Sequence, residues 1–177
     1  MPHIYHRLKP TTMKAKLLSV VMPMLLVFTM MSCSSEESES GSTNSKVVTE
    51  YSYDQDEMAL VDVVNNYRVS QGLSTLTLIN HISYKSEEHN DYMIENNVVN
   101  HDFFNQRASN IKSVLGAVTV GENIAYNFST PNSALHAWLQ SPGHKENIEG
   151  DYTHFGVSVS INPANGKKYY TNIFMKK

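Results

Sequence analysis

The sequence is short of cysteine, with Cys33 alone among 177 residues. No disulfide framework can form within the chain, so a folded domain has to be held by a packed core. Positive charge is scarce as well. From Cys33 onward, ten Lys and Arg stand against all 17 Asp and Glu, a net charge of −7. A nucleic-acid surface needs a basic patch to neutralise phosphates, so nucleic acid is excluded as the expected partner. Several catalytic signatures are missing: there is no Gly-x-Ser-x-Gly elbow, no His-Glu-x-x-His, no glycine-rich phosphate loop, and no cysteine after position 33. These absences remove the simplest serine-hydrolase, zincin, nucleotide and thiol chemistries. Long apolar runs are lacking too. The charge-free run from Leu17 to Met31 has about 15 residues, against the roughly 20 that a spanning helix needs.

That short run carries its own signal. Lys14 and Lys16 precede it, giving the basic and apolar regions of a secretory signal, here residues 1–32. Met30-Met31-Ser32-Cys33 follows and resembles a bacterial lipobox, with Met30 where Leu is usual. The resemblance implies cleavage before Cys33 and lipidation of that cysteine, which would make a membrane the first partner. The expected location is then the cell envelope, at the outer membrane or the cell surface. Residues 33–53 begin with an acidic, serine-rich stretch too polar to bury a core, and they read as a disordered tether.

The remainder, residues 54–177, has the composition of one globular domain and carries no internal repeat, and it reads as a monomer. Asp54 or Asp56 can cap a first helix carrying Met58, Leu60, Val61 and Val64, with Gly72 as its stop. Leu73 to Leu78 is an extended link. Asn80 can cap a second helix with an inner stripe of Ile82, Ser86, His89 and Met93, ending near Asn96-Asn97. His101 to Phe104 forms a loop, and Gln106 to Leu115 a weaker helix stopped at Gly116. Thr130-Pro131 is a strong helix start ahead of Ala134, Leu135 and Trp138. Ser141-Pro142-Gly143 breaks that helix, and His144 to Ile148 forms one further turn. Phe155, Val157, Val159 and Ile161 then alternate with small or polar residues. A turn at 162–166 and a second alternating run from Lys168 to Met175 complete an antiparallel hairpin. Helices first and strands last indicate an α+β fold.

Several short features form an ordered series: Asn65-Asn66-Tyr67-Arg68; His89 with Met93; His101; Gly121-Glu122-Asn123-Ile124-Ala125; Trp138 with Ser141-Pro142-Gly143-His144; and Phe155-Gly156-Val157. The chain thereby resembles bacterial members of the CAP superfamily, the SCP domain of cysteine-rich secretory proteins, antigen 5 and pathogenesis-related 1. The resemblance implies a three-layer α-β-α sandwich with a small antiparallel sheet and a surface cleft. In eukaryotic members that cleft holds two His and two Glu and can bind a divalent metal. By motif, His101 and His144 match the two His, and Glu122 matches one Glu. The second Glu is replaced by Ser141, and the family's usual disulfides are missing.

Two imidazoles and one carboxylate leave three chemistries open. His101, Glu122 and His144 can hold zinc or another divalent metal with an open position, or do general acid–base work. They can also simply brace the cleft. Asp102 and Glu146 are candidates for orienting them. His89 on the inner stripe reads as a packed core histidine, and Trp138 as a core anchor. Glu122 has a bland reading too, bracing a turn after Val120 together with Asn123. The leading expectation is a non-enzymatic binding domain. Its cleft, lined by His101, Glu122, Asn123, Ser141 and His144, would take a metal ion, a lipid, a peptide or a cell-envelope ligand. The alternative is a peptide or envelope-polymer hydrolase with His101, Glu122 and His144 as catalytic candidates, and with Ser141 beside His144 as its nucleophile.

Overall fold

The computed structural model describes residues 46–177. The signal segment, Cys33 and the tether up to residue 45 lie outside the described residues. Among the described residues, no helix is long and apolar enough to cross a membrane.

The first helix, α1 (Gln55–Ser70), opens on a capping box. Asp54 accepts from the Glu57 N–H, and the Glu57 carboxylate accepts from the Asp54 N–H. Gly72, at φ 74, then turns the chain. The extended link holds a two-residue strand, β1 (Thr77–Leu78), too short to show any alternation. α2 (Asn80–Asn96) buries Ile82, Ser86, His89 and Met93, the stripe its spacing predicts. Asn80 does not cap it. The cap position is Ile79, and the Asn80 amide instead bonds the Thr49 carbonyl and the Tyr53 hydroxyl. α3 (Phe104–Leu115) starts two residues earlier than its pattern suggests and ends at Gly116, φ 73. β2 (Thr119–Tyr126) takes in the whole Gly-Glu-Asn stretch, so Glu122 lies inside a strand and braces no turn. Thr130 caps α4 (Pro131–Gln140), with Pro131 in the first turn. α5 (Pro142–Glu149) follows directly. β3 (His154–Ile161) and β4 (Lys168–Lys176) form the expected hairpin.

The sheet order is β1-β3-β4-β2. It is mixed rather than wholly antiparallel, because β1 pairs with β3 in parallel. Strand alternation sends successive side chains to opposite faces, and each face meets its own helical layer. One face, with α1, α4 and α5, is a continuous apolar core that includes Leu60, Val64, Trp138, Ile148, Phe155, Tyr170 and Phe174. The other face, with α2 and α3, carries two small clusters, one of Ile82, Ile111, Ile173 and Met175, the other of Met93, Ile124 and Tyr169. On that side α2 lies very close to the sheet. A Cβ on Gly156 would sit 2.2 Å from the Ser83 nitrogen and 2.4 Å from the Ile82 carbonyl carbon, so only glycine permits the approach.

Tyr67 and Arg68 close the end of α1 against α5. The Tyr67 hydroxyl donates to Glu149 at 2.6 Å, and Arg68 donates to the carbonyls of Ser74, Ile148 and Gly150. The domain's contacts also begin before position 54. Val48 N–H donates to His81 Nδ1, and the Tyr51 and Tyr53 hydroxyls bond Glu57 and Ser83. Residues 46–53 therefore lie against the domain without being helix or strand.

Candidate functional site: a braced carboxylate between two histidines

β2 is an edge strand, packed against α3 on one side and α5 on the other. At this edge the structure gathers three of the predicted residues. Glu122 comes from β2, His101 from the loop before α3, and His144 from the first turn of α5. The imidazoles of His101 and His144 lie with ring centres 6.5 Å apart.

The strand holds its place through close contacts. A Cβ on Gly121 would fall 2.8 Å from Asn147 Oδ1 and 2.5 Å from the Tyr152 hydroxyl, so the glycine of this motif makes room for α5. Asn147 donates to the Glu122 carbonyl at 3.3 Å and to Asn123 Oδ1 at 2.9 Å. Asn123 in turn donates to the His144 carbonyl at 2.9 Å. Asn123 thus positions the α5 turn that bears His144, while its own side chain is fully buried.

The Glu122 carboxylate is buried, its side chain 1% exposed, and both of its oxygens are engaged. Arg107, on α3, donates Nε–H to Oε2 at 2.8 Å and Nη2–H to Oε1 at 2.9 Å. This two-pronged geometry is the strong form of an Arg–carboxylate pair. His101 Nδ1 is 2.8 Å from the same Oε1. A carboxylate paired with a guanidinium only accepts, so His101 Nδ1 carries the proton, and Nε2 is its unprotonated nitrogen when the ring is neutral. The His101 side chain is 47% exposed.

Behind this pair the loop is fixed at every turn. His89 Nε2 donates to the Asn100 carbonyl at 2.9 Å, so this buried core histidine holds the residue before His101. Arg107 Nη1–H donates to the Asp102 carbonyl at 2.7 Å, and the Tyr92 hydroxyl donates to the Asp102 carboxylate at 2.9 Å. Phe103 adopts φ 59, uncommon for a bulky side chain, and lies edge-on to Tyr92 with ring centres 5.2 Å apart. Burial pushes the His89 imidazole below its ordinary value, and Arg107 and His101 add to that while Glu122 opposes it. The His144 imidazole is also lowered, first by burial and then by the nearby His101.

Not every predicted member belongs to this unit. Ser141 sits between α4 and α5, its hydroxyl makes no capping bond, and among the described residues no hydrogen bond joins it to His144. Asp102 orients the loop rather than either imidazole. Arg107, absent from the predicted set, supplies the charge that matches Glu122. Its one sequence signal is spacing: it stands four residues before Ile111, and both are buried.

The donor set does not fit a metal held by His101, Glu122 and His144 together. Glu122 Oε1 already takes two donors and Oε2 faces a guanidinium. Among the described residues no three His, Cys, Asp or Glu are arranged to hold one metal ion.

Comparison with known proteins places the fold. Residues 61–174 match the cysteine-rich secretory protein family, CAP. The chain is 34% identical over 127 residues to YlbC of Bacillus subtilis (strain 168), described as an uncharacterized membrane protein, and the match covers 68% of this chain and 34% of YlbC. The chain therefore spans about a third of that relative's length. Among solved structures, an extracellular protein containing an SCP domain from Bacillus anthracis aligns with a TM-score of 0.61 at 29% identity, covering 69% of this chain and 40% of that one. An outer surface protein of Borrelia burgdorferi shares the fold with a TM-score of 0.64 at 21% identity, over 72% of this chain and 96% of that one.

Proposed function

The chain belongs to the cysteine-rich secretory protein family, CAP, and on that footing we propose that it is an exported recognition domain, tethered to the membrane through a lipid on Cys33. Its binding surface is the β2 edge, where His101 and His144 face a neutral or hydrogen-bonding cell-envelope ligand. The reading rests on one observation: Glu122 is fully committed to Arg107 and His101. A carboxylate so engaged is an orienting group rather than a general acid or base, which needs a free oxygen within reach of a substrate.

A peptide or envelope-polymer hydrolase would also use an imidazole oriented by a carboxylate, as the His101–Glu122 pair is. It would further need a nucleophile bonded to that imidazole or to His144. Ser141, the residue nearest that role in sequence, makes no such bond. The geometry therefore favours binding over turnover. Lipid anchoring draws its support from the placement of Cys33 after the apolar run and before a polar stretch.

The test uses the full chain carrying Cys33→Ala, so that no lipid obscures the result. It is sedimented with insoluble peptidoglycan and, separately, with vesicles of extracted envelope lipid. Retention by one of the two, reduced about tenfold in His101→Ala with the fold intact, is the expected result; that loss corresponds to about 1.4 kcal/mol. Retention by neither, or equal retention by the variant, overturns the reading. Release of soluble fragments from peptidoglycan would favour the hydrolase instead.

A further inference from the structure

The imidazole–carboxylate site contains a cation of its own. Arg107 reaches Glu122 from α3 through two hydrogen bonds, is 8% exposed, and has a third bond from Nη1–H to the Asp102 carbonyl. A buried charge is retained where it is paired and its hydrogen bonds are met, and Glu122 and Arg107 meet that condition for each other. Their charges cancel. The carboxylate that a divalent ion would use is therefore already neutralised, and the ion would have to approach a guanidinium to reach it.

We propose that Arg107 is a resident substitute for a metal ion at Glu122. It keeps the His101–Glu122 unit metal-free and locked in one orientation. Lone-pair accounting supports this. Oε1 has two acceptor positions, and both are filled, by His101 Nδ1 and Arg107 Nη2. Oε2 retains one position, but it is buried beside the Arg107 Nε–H. His101 spends Nδ1 on Glu122, so its Nε2 and the His144 ring remain as the two imidazole groups a soft ion can meet. Two ligands make a weak site, since stable protein zinc sites use three or four. Loss of the guanidinium, with an apolar stem kept in its place, frees the carboxylate, and once His101 gives up its bond to Oε1 the freed oxygens can join the imidazoles as a third ligand.

The inference concerns the same residues as the proposed recognition surface, but it fails separately. A protein that sediments with no envelope fraction can still exclude metal through Arg107, and one that binds its ligand can still admit metal.

Zinc alone is the probe, titrated calorimetrically into the full chain in detergent. Arg107→Met is expected to bind zinc at least tenfold more tightly than the wild type, while Arg107→Lys, which keeps a cation, stays within about twofold of it. Removal of Glu122 from the first variant, as Arg107→Met/Glu122→Gln, should abolish the gain. Contributions from Cys33 or from other histidines are common to all these proteins and cancel in the comparison. Equal zinc affinity in wild type and Arg107→Met overturns the proposal. Should Arg107→Met not fold, the wild type decides by NMR. The Arg107 Nε–H resonance stays at its ion-paired position under millimolar zinc if the guanidinium holds the site. Its movement to the position of a free arginine overturns the inference.

Discussion

The two faces of the sheet solve different problems. The face under α1, α4 and α5 is a continuous apolar core, anchored by Trp138, Phe155, Tyr170 and Phe174. The face under α2 and α3 buries His81, His89, Asn90, Arg107, Glu122 and Thr171 between two small apolar clusters. The first face stabilises by removing apolar area from water, at about 25 cal/mol per Å2. The second adds little on balance, because each buried polar group first loses its hydration and then recovers it through a partner. What the second face gains is placement. Thr171 bonds Asn90 within that face, while the bonds from His89 to Asn100 and from Arg107 to Glu122 fix the residue before His101 and the carboxylate that His101 meets. Stability thus resides mainly on one side of the sheet, and the site is held from the other.

The strongest way to break this comparison is to truncate the apolar face. Trp138→Ala removes the largest buried ring and also the bond from its indole N–H to the Ile124 carbonyl, 2.7 Å long. The expected loss is about 5 kcal/mol in denaturant unfolding, the upper end for such a change. Glu122→Ala comes next, at about 3 kcal/mol, because it leaves the Arg107 charge buried without a partner. The double change Arg107→Met/Glu122→Leu sharpens the contrast. Replacing the pair by apolar groups of similar size is expected to fall within about 1 kcal/mol of wild type, since the pair as a whole contributes little net stability. The same double variant should nevertheless lose the ordered position of His101, read as a changed ring resonance.

The smallest effect is that of pH. His89 and His144 are both lowered in the folded protein. The unfolded chain therefore takes up protons first as pH falls, and protonation favours it. Stability is complete above the ordinary histidine value of about 6.5 and declines as pH drops below it. Urea midpoints at pH 7.5 and 5.0 should fall in that order, and His89→Gln should flatten the difference. A midpoint that rises on acidification would contradict the assignment.

Much of the fold was legible because the signals were local. Asp54 with Glu57, Thr130 with Pro131, and the alternation of Phe155, Val157 and Val159 each fix an element within a few residues. The family model and the solved relatives agree with the α-β-α reading built on them. β1 was not legible, since a two-residue strand has no period to detect and exists only because β3 offers a parallel partner. β2 was hidden for a different reason. Glu122 and Asn123 point to opposite faces and are both buried and polar, so no hydrophobic alternation marks the strand. His101, Glu122 and His144 were singled out through their motif contexts. Arg107 was not, because a lone arginine on an amphipathic helix looks like any solvated cation until its partner on β2 is known.

The ring nitrogens of His101 report directly on the Arg107–Glu122–His101 chain. In the full chain at pH 8, 15N chemical shifts should show Nδ1 protonated and Nε2 bare. Glu122→Gln should disturb that state. A His101 ring protonated on Nε2, or one averaging freely between the two forms, would contradict the claim that a buried, arginine-paired carboxylate sets this histidine in place.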